Sequence, residues 1–435
     1  MTRVRRHLMP RDGLFLKDGR GWYTSDIGRS HSLTWPIPPT VRGALRAAYG
    51  HAWMARTGQK LCPEKWEERS AGVAIHALLT TRCPVGQTPS RCHRMWPVPA
   101  DAVCLHLGSA PGTDRHRTQV VRLNPEEPRN SDVEHLDDAL AETSPSAVQW
   151  ASLWRPYLQP DKIADRPDFW PEETMMRWLR GDSVSISDAS GYRLPRRVDF
   201  HVTIDPATQA ATPTMLFSTE LTEPLADRLG DCSADCDTSV PARAGPGERF
   251  VQWGMAVDFA LPTGEHALPG DHSAFPGEPL AIGGQRRLAA SEQAPDSLFS
   301  PPDDLGGDSP GLTLTLVTPA EFQNGWLPDG FAAAGPSGYC GTVAGIAVIL
   351  QAAIVGRPLD LSSWDMVRGE PRKTRRLVRS GAVYFFRKDD DAPFTAGERR
   401  RLWLASLINP KQGNAGRVED GLGRVVPGCW NGKGN

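Results

Sequence analysis

The eleven residues "PIPPTVRGALR", Pro36 to Arg46, decide how the front of the chain is read. Three prolines interrupt whatever precedes them. Pro39 cannot extend a helix backwards and Thr40 can cap one, so the pattern predicts a helix from Thr40 to about Thr57. Val41, Ala44, Leu45, Ala48 and Ala52 make its apolar stripe, while Arg42 and Arg46 share another face at i, i+4. Upstream, "GLFLKDG" (Gly13–Gly19) alternates between turn residues, as a short first strand would. Downstream, "RRVDFHVTIDPATQAATPTMLFSTELTE" reads as a hairpin. Its first strand is Val198–Ile204, the turn falls at Asp205-Pro206, and the return strand is Met215–Leu221.

The second half repeats the theme. "FVQWGMAVDFAL" (Phe250–Leu261), "LTLTLVTP" (Leu312–Pro319) and "GAVYFFR" (Gly381–Arg387) read as strands, and the hydrophobic stretch ending at Gly356 as a buried strand or helix. "TAGERRRLWLASLI" reads as a helix with Thr395 and Glu398 at capping-box spacing. Strand, helix and hairpin, twice over, predict an α+β chain of two ferredoxin-like (RRM-like) units, a scaffold also used to bind RNA. The first unit spans 1–225 and carries a polar, acidic insertion at about 108–190 with one helix near Pro171–Arg180. An acidic linker covers 226–248, and the second unit, 249–435, ends in a glycine-rich loop.

With 435 residues the chain has room for two or three cores, and 42 Gly with 39 Pro at 39% hydrophobic content call for long loops between them. No run approaches the roughly 20 apolar residues of a membrane span; the longest, "TVAGIAVILQAAIVG" (Thr342–Gly356), is too short. The basic start, "MTRVRRHLMPRDG", lacks the apolar core of a secretory signal, so a cytoplasmic location is expected. Eight cysteines are sparse. Cys232 and Cys236 in "CSADC", and Cys92 beside His93, have no partner pair at zinc-finger spacing; Cys62, Cys83, Cys92 and His93 make an imaginable zinc set, ordinary loop thiols being the plainer reading. No metal and no cofactor are expected.

The net charge of −2 hides an asymmetry. Residues 1–60 hold eleven Lys/Arg against three acids, residues 355–435 hold sixteen against nine, and the 294 residues between carry −17. Such blocks suit a polyanion bound where the two ends meet, or else two solvated faces. For a phosphate, the helix start with Thr40, Arg42 and Arg46 offers N–H groups and a positive dipole end. "GGQRR" contributes Arg286 and Arg287. The densest basic run is Arg372, Lys373, Arg375, Arg376 and Arg379, and in "GLGRVVPG" the residues Gly421, Gly423 and Arg424 make a loop able to approach a sugar-phosphate chain. Trp22, Tyr23 and Trp35 are candidates for base stacking, or for the core. Asp12 and Asp18, beside Lys17 and Arg20, read as ion pairs. His31 is the best candidate for a metal-independent RNA-cleaving base, but lacks a second histidine nearby, and no Walker loop, HExxH or GxSxG appears. No enzymatic activity is expected.

Seven blocks in order, "MPRDGLFLKDGRGW", "WPIPPTVRGALR", "HVTIDPATQAATPTMLFSTE", "IGGQRRLA", "TLVTPAEFQNGWLP", "WDMVRGEPRKTRRLVRSGAVYFF" and "GLGRVVPGCW", together resemble the Cmr subunit three family. These are RAMP-superfamily proteins of type III-B CRISPR effector complexes. "VRSGAVYFF" departs from a "VPAGSVYFF" pattern. The resemblance implies two ferredoxin-like domains at the foot of a ribonucleoprotein, clasping the 5′ tag of the CRISPR RNA and meeting target RNA only indirectly. It implies contacts with the large polymerase/nuclease subunit and with the backbone RAMP subunit, no membrane, and no nuclease activity. Two other readings stay open: a RAMP-type endoribonuclease that processes precursor CRISPR RNA through His31, and a scaffold whose basic ends touch only proteins.

Overall fold

A computed structural model of the chain describes residues 2–19, 28–109, 116–126, 153, 155–156, 163–184, 191–227, 249–272, 275–277, 279–334, 338–365, 367–409 and 415–432. The architecture is mixed α/β, mostly strand, with several antiparallel sheets. The largest sheet runs Leu280–Ile282, Arg287–Gln293, Thr2–Pro10, Phe250–Leu261, Ala74–Pro84, Arg94–Pro97, Phe169–Pro171, with Leu225–Asp227 also paired to Phe250–Leu261. A six-stranded sheet follows in the order Ala332–Ala333, Tyr339–Val343, Ile346–Ile354, Val383–Lys388, Gly311–Leu316, Val425–Trp430.

The first strand is Thr2–Pro10, whereas Gly13–Gly19 makes only isolated bridges at Leu14, Phe15 and Lys17. Its arginines disguise it in the sequence, and their partner explains them. Asp258, fully buried on the neighbouring strand, accepts two 2.6 Å bonds from Arg3 and one of 3.0 Å from Arg5. A buried carboxylate needs such partners. Phe250–Leu261, bounded as expected from sequence, therefore pairs Thr2–Pro10 on one side and Ala74–Pro84 on the other. Hydrogen bonding thus carries the segment from 250 to 293 into the sheet that the N-terminus begins.

The long helix runs Pro38–Thr57, two residues earlier than expected, with Ile37 rather than Thr40 at its N-cap. Proline's fixed φ suits a first helical position, where its missing N–H costs nothing. Val41, Leu45, Tyr49 and Trp53 bury against Leu8, Ile75, Val257 and Phe259 of the sheet. Glu172–Arg180 is helical, close to the expected span, and Met175, Trp178 and Leu179 share a core with Trp96 and Ala256 of the first sheet and Trp403 and Val426 near the C-terminus. Within that core Glu172 pairs with the fully buried Arg94 and accepts 2.6 Å from Trp96 Nε1. The segment to Gly356 resolves into the hairpin Tyr339–Val343/Ile346–Ile354. Thr395 and Glu398 form the expected capping box, though the helix stops at Leu402, before Leu404 at φ 56°. No helix among the described residues is long and apolar enough to cross a membrane.

His7, fully buried in the first strand, meets Thr81 Oγ1 at 2.8 Å, and burial pushes its imidazole down to about 4. The unfolded chain takes up this proton near its ordinary value while the folded chain refuses it, so stability falls as pH drops through the interval. Denaturant titrations at pH 7.5 and pH 5 should show wild type losing about 2 kcal/mol more than His7→Gln.

Candidate nucleic-acid interface

The two basic ends of the chain meet. A groove of about 1690 Å³ runs between the long helix, the turn at 283–286 and the C-terminal segments, lined by Thr40, Arg42, Arg46, Arg286, Arg372 and Arg375 among others. Six of the residues singled out from sequence thus share one concavity. With Lys17 and Arg417 the lining holds seven cations against the carboxylates of Glu67, Glu321 and Asp420.

The floor of the groove is a clasp of ion pairs. Arg42 donates to Asp420 Oδ1 at 2.7 Å, to Val73 O at 2.6 Å, to Ala71 O at 2.8 Å and to Glu419 Oε2 at 3.3 Å. Arg46 donates to Ser70 Oγ at 3.0 Å and Glu67 O at 3.1 Å; burial, with the charge of Arg42 added, holds its guanidinium below its ordinary pKa. Arg375 and Arg417 converge on Glu321, with Arg375 Nε at 2.8 Å and Arg417 Nε at 3.1 Å, and Arg372 reaches Glu67 at 3.0 Å. The phosphate seat expected at the helix start is closed. Pro38 and Pro39 have no N–H, and those of Thr40 and Val41 both point back to Ile37 O, at 3.0 and 3.3 Å.

The rim differs. Arg286 is exposed and makes no ion pair among the described residues. It sits with Gln285 in the left-handed region, at φ 52° and 59°, where two side-chain-bearing residues are costly, and the turn holds it over the groove. Trp66, edge-on to His51 at 4.9 Å, Phe217 and the half-exposed Trp364 add aromatic surface to the lining. These three rings escape a reading of sequence, because nothing local separates a groove aromatic from a core one.

Other candidates lie elsewhere. Arg287 is paired to Asp12. Lys373 and Arg376 are exposed outside the groove lining, Arg376 reaching Asp360 at 3.7 Å. The glycine loop braces the interior: a Cβ on Gly421, at φ 81°, would come within 2.6 Å of Ile75, and one on Gly423 within 2.9 Å of Ile408. Arg424 points inward to Leu404 O at 3.3 Å, and burial holds its guanidinium down to about 10. Trp35 is buried against Trp253, whereas Trp22 and Tyr23 lie outside the described residues. His31 Nδ1 lies 3.2 Å from Glu220 Oε2, and Arg196 holds Glu220 at 2.6 Å. No three His, Cys, Asp or Glu gather as a metal set among the described residues. The hairpin Arg196–Ile204/Ala211–Thr222 exposes Val198, Phe200, Val202 and Ile204, which alternate along one face, together with Leu216.

Fold and groove thus define a strand-rich chain with a cationic cleft built from both ends. A family model for CRISPR-associated proteins, Cas_Cmr3, matches residues 6–430. The chain belongs to the Cmr3 family of CRISPR-associated proteins. Among solved structures it is similar to a chain of the type III-B Cmr-beta complex bound to cognate target RNA and AMPPnP, at 11% identity and a TM-score of 0.39, covering 88% of this chain and 86% of that one. A second, of the same complex bound to cognate target RNA, gives 11%, 0.37 and the same coverage. No curated protein matches it.

Clasp and rim separate by mutation. In urea titrations Arg42→Ala, which leaves the half-buried Asp420 only Arg375 at 3.6 Å, should cost about 2 kcal/mol, and Arg286→Ala should stay within about 0.5 kcal/mol of wild type.

Proposed function

We propose that the chain is a non-catalytic, cytoplasmic subunit of a type III-B CRISPR ribonucleoprotein effector and that its groove holds the single-stranded 5′ tag of the CRISPR RNA. The observation that carries this reading is the surplus of seven cations over three carboxylates in a cleft that also presents aromatic rings. Single-strand binders pair a cationic track for the backbone with rings on which bases stack. The clasp spends its guanidiniums on holding the two ends together, which leaves Lys17, Arg286 and the rim aromatics for the strand. We further read the architecture as two ferredoxin-like RAMP units, with the division falling between Gln293 and Gly311 rather than at 226–248. The apolar stripe of the hairpin, unusual for a surface left in water, is read as the contact to a neighbouring protein, the backbone subunit or the large polymerase/nuclease subunit at the base of the complex.

The alternative, RNA cleavage by His31, draws on its orientation by Glu220. A second group placed to protonate a leaving oxygen is what such chemistry also needs, and we read His31 as a solvated residue hydrogen-bonded to Glu220.

Full-length chain freed of nucleic acid is titrated with a tag-containing RNA at 50 and 200 mM salt. Lys17 and Arg286 engaged on a single strand give a log–log slope of about −1.4, so affinity should fall about 7-fold. Arg286→Ala should flatten that slope by about 0.7. Salt-independent binding, or none, would favour the protein-only scaffold. A repeat-containing transcript should survive incubation with the chain; cleavage lost in His31→Ala would establish the enzyme instead.

A further inference from the structure

A second cleft, of about 690 Å³, opens beside the groove. The wall between them is the contact of Gly19 with Asp360: Gly19 N donates to Asp360 O at 3.0 Å, and a Cβ there would come within 2.9 Å of the Asp360 backbone. Lys17 and Leu361 face the groove, and Asp18 and Asp360 the second cleft. Two chain crossings with no side chain between them thus separate a long track from a compact chamber. The chamber is of the size that takes one small ligand.

Its inner wall is apolar, built from Trp35, Ile37, Leu78, Met95, Phe169 and Leu359. Trp35 is 7% exposed, and its indole Nε1 is buried with no hydrogen-bond partner. The mouth carries Arg357 and Arg379, both exposed and neither paired with a carboxylate among the described residues; Arg379 Nε donates to Arg357 O at 3.0 Å. This reverses the arrangement in the groove, where the floor arginines are held by acids. Of the four carboxylates lining the chamber, Asp18, Asp168, Glu220 and Asp360, the last two are engaged by Arg196 and Arg376. Asp168 accepts a 3.4 Å bond from the Leu194 N–H and keeps lone pairs for an amino group.

A flat ring with hydrogen-bonding edges, joined to an anion, matches this combination. We propose that the chamber is a one-nucleotide pocket: it takes a base turned out of the strand in the groove, with the attached phosphate on Arg357 and Arg379. The amino-accepting Asp168 favours adenine, cytosine or guanine over uracil. The proposal rests on the groove being the strand's site, and one experiment separates the two. Full-length chain is titrated with an eight-nucleotide tag RNA carrying 2-aminopurine at one position at a time, and separately with free AMP by calorimetry. One position should respond strongly on binding. The Arg357→Ala/Arg379→Ala variant should abolish that response and weaken binding roughly tenfold, the worth of one charged hydrogen bond; Trp35→Phe should alter the response. RNA bound with no position singled out, and unaffected by the arginine changes, overturns the pocket while the groove stands. AMP binding lost in the double variant without strand binding supports the pocket as a free-nucleotide site and removes the groove reading. Binding of neither removes both.

Discussion

Two positively charged ends of one chain cannot lie side by side without compensation, and the fold is arranged around that constraint. Arg42, Arg46, Arg372, Arg375 and Arg417 converge from segments more than three hundred residues apart. Four of them meet carboxylates, Asp420 and Glu419 for Arg42, Glu321 for Arg375 and Arg417, Glu67 and Asp365 for Arg372, and Arg46 meets the Ser70 hydroxyl and the Glu67 carbonyl. Like charges in a partly desolvated floor would otherwise repel by several kcal/mol at an effective dielectric of about 20. The acids make the junction rigid and leave the positive surplus at the rim, where a solvated polyanion can reach it.

The same logic runs through the body of the protein. Asp258 answers Arg3 and Arg5 across the central strands, and Glu172 answers Arg94 where the two sheets share a core. Arg399, wholly buried, is met by Ser309 Oγ at 3.2 Å and by the carbonyls of Phe394 and Gly306, each at 2.9 Å. Breaking one partner of such a set strands a charge.

Local pattern made some of this legible. The hairpin at 196–222, the strand Phe250–Leu261, the helix ending at Arg180 and the Thr395–Glu398 capping box all follow from period, turn chemistry and caps within a few residues of one another. What did not follow depends on distant partners. Thr2–Pro10 looks like a basic tail until Asp258 stands opposite, and the sheet it starts is completed by residues past 250. The prolines at 38 and 39 looked like a stop and are the first turn of the helix. In the groove, residue type and charge blocks pointed to Arg42, Arg46, Arg286, Arg372 and Arg375. The partners that separate clasp from rim are invisible in a linear sequence, as is the turn that holds Arg286 out. Gly421 and Gly423 have glycine for the reason a sequence suggests, close approach, but what approaches is the protein's own Ile75 and Ile408.

The most direct test of the account is photocrosslinking of the full-length chain, assembled with a guide RNA carrying 4-thiouridine through its tag, followed by mass spectrometry of the linked peptides. The account predicts crosslinks on peptides that contain Trp66, Phe217 or Trp364, lost when Arg286 and Lys17 are both changed to alanine. Crosslinks confined to the face of the six-stranded sheet away from the groove, or carried wholly by other subunits, would contradict it.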